Sequence, residues 1–218
     1  MKQSKLFIAS FVANILVFLF VLVGTILMFV VHAKALASNT LEVAKYFTFQ
    51  SNIFMGIVAF IYSFYQVLIF KGKKKEIPSV LRVFNFVGVV ALSITFTVVI
   101  IFLGPLYGYP IMYNGANLFY HALAPLMAMI NFMFLEKEGQ IKFKETFFGV
   151  VPLFLYGIVY LSVVVALKAY GDLKIDFYGF GARGPGWGLL YFVILLHLAY
   201  GLGFLMYFIN RCIFKKSR

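Results

Sequence analysis

Two short strings hold most of the side chains that could do chemistry: KYFTFQSN at 45–52 and NLFYHALAP at 117–125. The first contains Thr48, Gln50, Ser51 and Asn52, and the second Asn117, Tyr120 and His121. A hydroxyl and an imidazole form the minimal nucleophile–base pair: the ring takes the hydroxyl proton as the oxygen attacks an electrophilic carbon. Asn52 follows Thr48 by four residues, and Asn117 precedes His121 by four. Residues four apart on an α-helix share a face. Each asparagine is therefore placed to orient its neighbour or to donate to a developing oxyanion. Ser51 is a second hydroxyl on the same turn as Thr48. The plainer account is a threonine that caps its helix, a histidine bonded within a polar patch, and asparagines that glue helices together. Spacing leaves both accounts open.

The elements that must position these residues are apolar helices. Of 218 residues, 63% are hydrophobic and 12% charged, with 28 Phe and 14 Tyr. A soluble domain is nearer to about 45–50% apolar and about 25% charged. The apolar residues form six runs, about 6–31, 47–70, 80–103, 116–135, 147–167 and 188–209. Each is long enough for a hydrocarbon core about 30 Å thick, which takes about 20 helical residues. The expected fold is all-α: a polytopic membrane protein whose residues 1–218 form a single domain of six transmembrane helices in one bundle. MKQSK and the run after it look superficially like a signal peptide. The run is longer than a usual h-region and no small-x-small site ends it, so it reads as a retained first span. The single cysteine, Cys212, cannot make an internal disulfide or a cysteine metal cluster.

A net charge of +12 would point to nucleic acid in a soluble protein. Here the basic residues crowd the short connections, where they act as topology signals and meet anionic lipid headgroups. No nucleic-acid partner is expected. Fourteen of the 19 Lys and Arg residues fall on one side of the six runs and five on the other. The positive side is cytoplasmic, so the expected topology is N-in/C-in, multi-pass, in the cell membrane. Connections 32–46, 104–115 and 168–187 then lie outside. Gly and Pro in GPLYGYPIMYNG forbid a regular helix in the second. The third, rich in Gly and aromatics, is suited to fold back over the outer mouth. The inner connections KGKKKEIP and EKEGQIKFKE read as solvated anchors without chemistry.

A polar side chain within a span is expensive and normally faces the protein interior or a cavity. Span three adds Asn85, Ser93, Thr95 and Thr97, span four Asn131, and span six His197 and Tyr200. No Asp or Glu falls within an expected span, which argues against a proton-driven transporter, a glutamate protease and a two-metal hydrolase. His32, His121 and His197 differ in depth, so no metal and no other cofactor is expected. Thr48 and His121, by contrast, both come within roughly 10 Å of the outer boundary at 1.5 Å per residue. They meet if spans two and four pack together. Gln50, Ser51, Tyr120 and His197 are candidate linings of the pocket around them. Pro125, one turn beyond His121, and Pro152 each remove a backbone hydrogen bond and should kink their spans.

The aromatic-Thr-aromatic start of span two and the His-x3-Pro start of span four resemble the androgen-induced protein family and its prokaryotic six-span relatives. The likeness extends over most of the chain. Animal members of that family are multipass hydrolases of fatty acid esters of hydroxy fatty acids, with a membrane-embedded threonine as nucleophile and a histidine as its partner. Carried onto this chain, the threonine matches Thr48 and the histidine matches His121. The resemblance thus implies a lipid or fatty acyl ester substrate and an acyl-threonine intermediate. QSN after Thr48 and Tyr120 before His121 look like the prokaryotic branch, and no acidic third member of a triad is evident. The alternative is a non-enzymatic small-solute transporter or lipid-binding membrane protein that uses the same outer polar pocket.

Overall fold

The computed structural model describes residues 5–30, 40–137 and 140–215. Six helices are long and apolar enough to cross a membrane: α1 Lys5–Val30, α2 Phe47–Phe70, α3 Ser79–Tyr107, α4 Ala116–Leu135, α5 Phe143–Ala166 and α6 Pro185–Phe214. The chain is an all-α, multi-pass membrane protein. His32 lies outside the described residues.

Helix α3 packs against α2, α4, α5 and α6, and α1 packs against α2 and α4. Every residue of α3 from Asn85 to Thr95 is buried. That stretch, NFVGVVALSIT, has apolar or small residues all round, as an interior helix requires. The outer helices turn residues such as Phe60, Phe64, Phe154, Ile158, Leu189 and Leu205 outward. These side chains suit a hydrocarbon solvent.

Two of the spanning helices are irregular in a repeated way. Single π turns occur at Val99–Leu103 in α3 and at Phe119–Leu123 and Asn131–Leu135 in α4. In each, the residue after the turn donates its N–H to the first carbonyl of the turn: Gly104 to Val99, Ala124 to Phe119, Glu136 to Asn131. The second carbonyl is then left over. Its next donor would be residue 105 or 125, both prolines, or Lys137, which bonds Leu135 instead. In all three cases a side chain from elsewhere supplies the donor. Tyr109 Oη meets the Ile100 carbonyl at 2.9 Å, Asn52 Nδ2 the Tyr120 carbonyl at 3.2 Å, and Asn210 Nδ2 the Phe132 carbonyl at 2.6 Å.

Three expectations need correction. The 104–115 connection carries helical turns at Gly104–Tyr107 and Tyr109–Met112. Pro110 sits at the start of the second turn, where a missing N–H costs nothing, while Pro105 continues α3 and the Ile100 carbonyl that it leaves over is met by Tyr109. The break falls at Gly108, whose φ of +91° suits only glycine. Pro152 does not interrupt a regular helix. It lies where the 3-10 stretch Phe143–Val150 gives way to the α-helix Val151–Ala166. Finally, the connection after α4 is not a plain solvated anchor. Glu136 is buried (1% exposed), and its carboxylate accepts from Asn85 and Asn131 at 2.7 Å each. The π turn ends at Leu135, and the Glu136 backbone leaves the helix at φ −85°, ψ 78°. That departure directs the side chain back among the helices.

Close approach of α1 to α4 depends on Gly24. A Cβ there would lie 2.7 Å from the ring of Tyr120, which is itself fully buried. Gly24→Val should lower stability by about 1–3 kcal/mol through overpacking. Gly201, also helical, has nothing within 4 Å of its would-be Cβ, and Gly201→Ala should be neutral or slightly stabilising. Thermal unfolding of the purified protein in detergent, followed by loss of the monodisperse species, compares the two. Equal melting temperatures for Gly24→Val and the parent would show that α1 and α4 do not depend on this contact.

Candidate functional site

The site begins at the first turn of α2. Tyr46 is the N-cap, with an extended backbone (φ −79°, ψ 136°) and no side-chain cap of its own. The Phe47 N–H is met from the third connection, by Tyr178 Oη at 2.9 Å. Burial pushes the Tyr178 hydroxyl up to about 12, so it stays neutral there. Thr48 is therefore one place inside the cap and is not the capping residue. It is half-buried. Its carbonyl accepts from Ser51 Oγ at 3.1 Å and from Asn52 Nδ2 at 2.8 Å.

Asn52 joins the two predicted strings. The same Nδ2 that bonds the Thr48 carbonyl also reaches the Tyr120 carbonyl on α4, at 3.2 Å. The first turn of α2 and the turn of α4 that carries His121 thus share one amide. Asn52 Oδ1 is buried and has no partner. On the far side of that α4 turn, Tyr120 Oη and Thr25 Oγ1 of α1 are hydrogen-bonded at 2.6 Å.

His121 lies in the middle of the π turn Phe119–Leu123 and is 7% exposed. Its Nδ1 is 2.8 Å from the Met112 carbonyl. A carbonyl only accepts, so Nδ1 carries the proton, and in the neutral ring Nε2 keeps its lone pair. A general base held this way has one nitrogen fixed by an orienting group and the other available for a proton. Here a backbone carbonyl takes the orienting place that an acidic residue holds in a triad. The sequence signal for it is faint: a buried Met in a Gly- and Pro-rich connection.

The structure gathers Thr48, Ser51, Asn52, Tyr120 and His121 into adjoining turns, but not the other candidates. Asn117 Nδ2 bonds the Ile111 carbonyl at 3.2 Å, so it holds the connection beside Met112 rather than the ring. Gln50 is exposed, and its amide bonds the Ala44 carbonyl at 2.9 Å. His197 is exposed on α6 and bonds the Val193 carbonyl of its own helix at 2.8 Å.

A cavity of about 1000 Å³ runs between α2, α3 and α5. Lys45, Ile175 and Phe177 line one end, and Ser79, Glu145 and Phe148 the other. Phe54, Val83, Phe84, Val87, Ala91 and Val159 form apolar walls between them, with Gln50 and Ser51 toward the Lys45 end. Of the expected pocket residues, Gln50 and Ser51 line this cavity; Thr48, Tyr120, His121 and His197 do not. The helical repeat explains the division. Phe47, Ser51 and Phe54 form one stripe of α2, and Thr48 and Asn52 form the next, turned toward α4.

Comparison of the chain with family models, with curated proteins and with solved structures finds no match.

The π turn and the Asn52 bridge generate a paired expectation. Asn52→Leu leaves the Tyr120 carbonyl without a donor in an apolar surrounding, at a cost of about 1–3 kcal/mol. Pro125→Ala restores an N–H that can reach that carbonyl in the π register. The double variant should therefore lose less stability than the two single losses predict together. Strict additivity in thermal unfolding would mean that Asn52 does not serve the carbonyl that Pro125 leaves over.

Proposed function

We propose that the chain is a membrane-embedded threonine hydrolase of the androgen-induced protein family, prokaryotic branch, cleaving a lipid or fatty acyl ester through an acyl-threonine. The observation that carries this reading is the pinned His121: Nδ1–H fixed on the Met112 carbonyl, on a turn stapled by Asn52 to that of Thr48. Thr48 also lies in the first turn of a 24-residue helix. There the positive end of the macrodipole favours a developing negative charge.

The chemistry needs no cofactor. His121 Nε2 takes the Thr48 hydroxyl proton as Oγ1 forms a bond to the ester carbonyl carbon. The ester C–O bond breaks, and the imidazolium returns the proton to the leaving alkoxide. A water then gives its proton to Nε2 and its oxygen to the acyl carbon, which releases the acid and restores Thr48. Both Asn52 Nδ2 hydrogens are taken by the Thr48 and Tyr120 carbonyls, so Asn52 holds the two turns in register rather than binding the oxyanion. The cavity supplies acyl-sized apolar space next to this turn through Phe47 and Ser51.

The second reading is a lipid-binding or transport protein without catalysis. What favours it is that Thr48 and His121 do not line the large cavity while Gln50 and Ser51 do. The decisive measurement is ester turnover by purified protein across a panel of acyl lengths, at matched folded amounts. Thr48→Ala and His121→Ala should each abolish turnover, and strongly non-additively, since nucleophile and base act as a unit. Thr48→Ser should retain part of it, and His197→Ala most of it. Turnover by Thr48→Ala at the parental rate would remove the nucleophile assignment. A parent that binds acyl probes in the cavity and cleaves none would favour the second reading.

The same reading takes the chain as N-in/C-in in the cell membrane, on the Lys and Arg bias of its connections. Single cysteines introduced at 104–115 should react with an impermeant reagent added to intact cells, and those at 71–78 should not. The reverse pattern would invert the topology and put the Thr48 turn on the cytoplasmic side.

A further inference from the structure

The large cavity has opposite charges at its two ends. Lys45 lines one end and Glu145 the other, and the lining between them is uncharged. Val80, Phe84, Phe148, Leu155 and Val159 line it and are also exposed, so the cavity is a groove open along one side to the hydrocarbon. Lys45 is fixed at its place by its carbonyl, which accepts from Tyr156 Oη at 2.7 Å. Tyr160, one turn farther along α5, lines the same end. From these tyrosines back to Glu145 the chain covers about 19–25 Å, at about 1.5 Å per α-helical and about 2.0 Å per 3-10 residue.

An acyl chain that leaves bulk lipid for an apolar wall gains nothing from the hydrophobic effect. Selection by this groove must therefore come from its charged ends and its length. Lys45 Nζ has three N–H donors. It donates to the Lys174 carbonyl at 3.4 Å and lies 4.9 Å from the Phe177 ring centre, and neither contact neutralises its charge. A carboxylate beside it would gain a charge-assisted hydrogen bond. Glu145 repels the same group at the far end, where its Oε2 is already held by the Lys142 N–H at 2.6 Å. Ile175 and Phe177 of the third connection cover the Lys45 end, which suits a compact head.

We propose that the groove binds one long-chain fatty acid, with the carboxylate on Lys45 and the methyl end beside Ser79 and Phe148. An extended chain advances about 1.3 Å per carbon, from C–C bonds of about 1.5 Å, so about 16–18 carbons fill the measured length. Val83 lines the groove one turn along α3 from Ser79 and sets how far the methyl end reaches. This rests on the cavity as acyl space, which the catalytic and the binding accounts share, and not on catalysis by Thr48.

The test is saturable binding of tritiated palmitate to the full chain in phosphatidylcholine nanodiscs, at alkaline pH, with empty nanodiscs as background. Stearate should compete as well as unlabelled palmitate. Methyl palmitate and dipalmitoylphosphatidylglycerol should compete at least tenfold more weakly. Lys45→Gln should weaken palmitate at least tenfold and leave methyl palmitate unchanged, and Lys45→Arg should restore the acid. Val83→Trp should weaken stearate at least tenfold and leave laurate unchanged. No saturable binding overturns the site. Equal competition by the methyl ester, or undiminished palmitate binding in Lys45→Gln, overturns the Lys45 head. Equal competition by the phosphatidylglycerol overturns the single-chain ligand. A Val83→Trp variant that treats laurate and stearate alike overturns the place of the methyl end. Ester turnover is measured on the same samples: binding without turnover keeps the groove and removes the hydrolase, and turnover without palmitate binding does the reverse.

Discussion

In hydrocarbon a backbone carbonyl that loses its helical partner has no water to turn to. Three carbonyls in this protein, Ile100, Tyr120 and Phe132, lose theirs at π turns, and each is met by a side chain from another segment. That requirement explains why several polar residues stand inside spans at all. Asn52 and Asn210 are needed where they are because α4 is widened into a π turn at two places. It also fixes registers: α2 can bond the Tyr120 carbonyl through Asn52 in one axial position only, which sets Thr48 against the His121 turn. Interhelical hydrogen bonds in membranes average only about 0.6 kcal/mol. Their role is therefore to select one arrangement, while apolar packing supplies most of the cohesion.

The packing lies between the two polar levels. Met55, Phe86, Val89, Val90, Ala124 and Ala128 are buried together around α3. They separate the Thr48–His121 level from the Glu136 level. Gly88 lets α2 and α3 close on each other there, since a Cβ at Gly88 would meet Met55 Sδ at 2.6 Å. A close-packed apolar middle of this kind keeps polar side chains out from between the two levels and gives each a low-dielectric surrounding.

The apolar runs were legible because a span needs about 20 apolar residues whatever its neighbours are. Thr48, Asn52 and His121 stood out for a related reason: few polar residues occur in spans, so those present carry information. The failures arise where regular geometry was assumed. Asn117 is expected to orient the His121 ring by the four-residue rule, but the Met112 carbonyl holds that ring and Asn117 bonds elsewhere. Its true neighbour is the Ile111 carbonyl. Pro125 signalled an irregularity near His121, yet a proline alone does not say whether a helix kinks or widens. Glu136 was hidden by its surroundings, since EKEGQ reads as a solvated connection and nothing local says that the chain turns back. His197 is a candidate lining of the outer pocket by sequence, but its side of α6 is exposed and the ring bonds its own helix.

The third connection decides what Thr48 is left to do. A threonine near a helix start ordinarily spends its hydroxyl on the unpaired N–H groups there. Here the connection is folded around Asp176, which is fully buried and accepts from the Tyr160 hydroxyl and from the Gly171 and Gly181 N–H groups, the latter two at 3.0 and 2.9 Å. That knot presents Tyr178 to the Phe47 N–H. Lys45 is drawn into the same assembly, its Nζ 4.9 Å from the Phe177 ring centre and 3.4 Å from the Lys174 carbonyl. With the cap supplied from 131 residues away in sequence, Thr48 enters the first turn rather than the capping position. Its hydroxyl is then not committed to holding the helix. The plain account of Thr48 as a helix cap thus fails on geometry, and the residue is available for the role that the pinned His121 suggests.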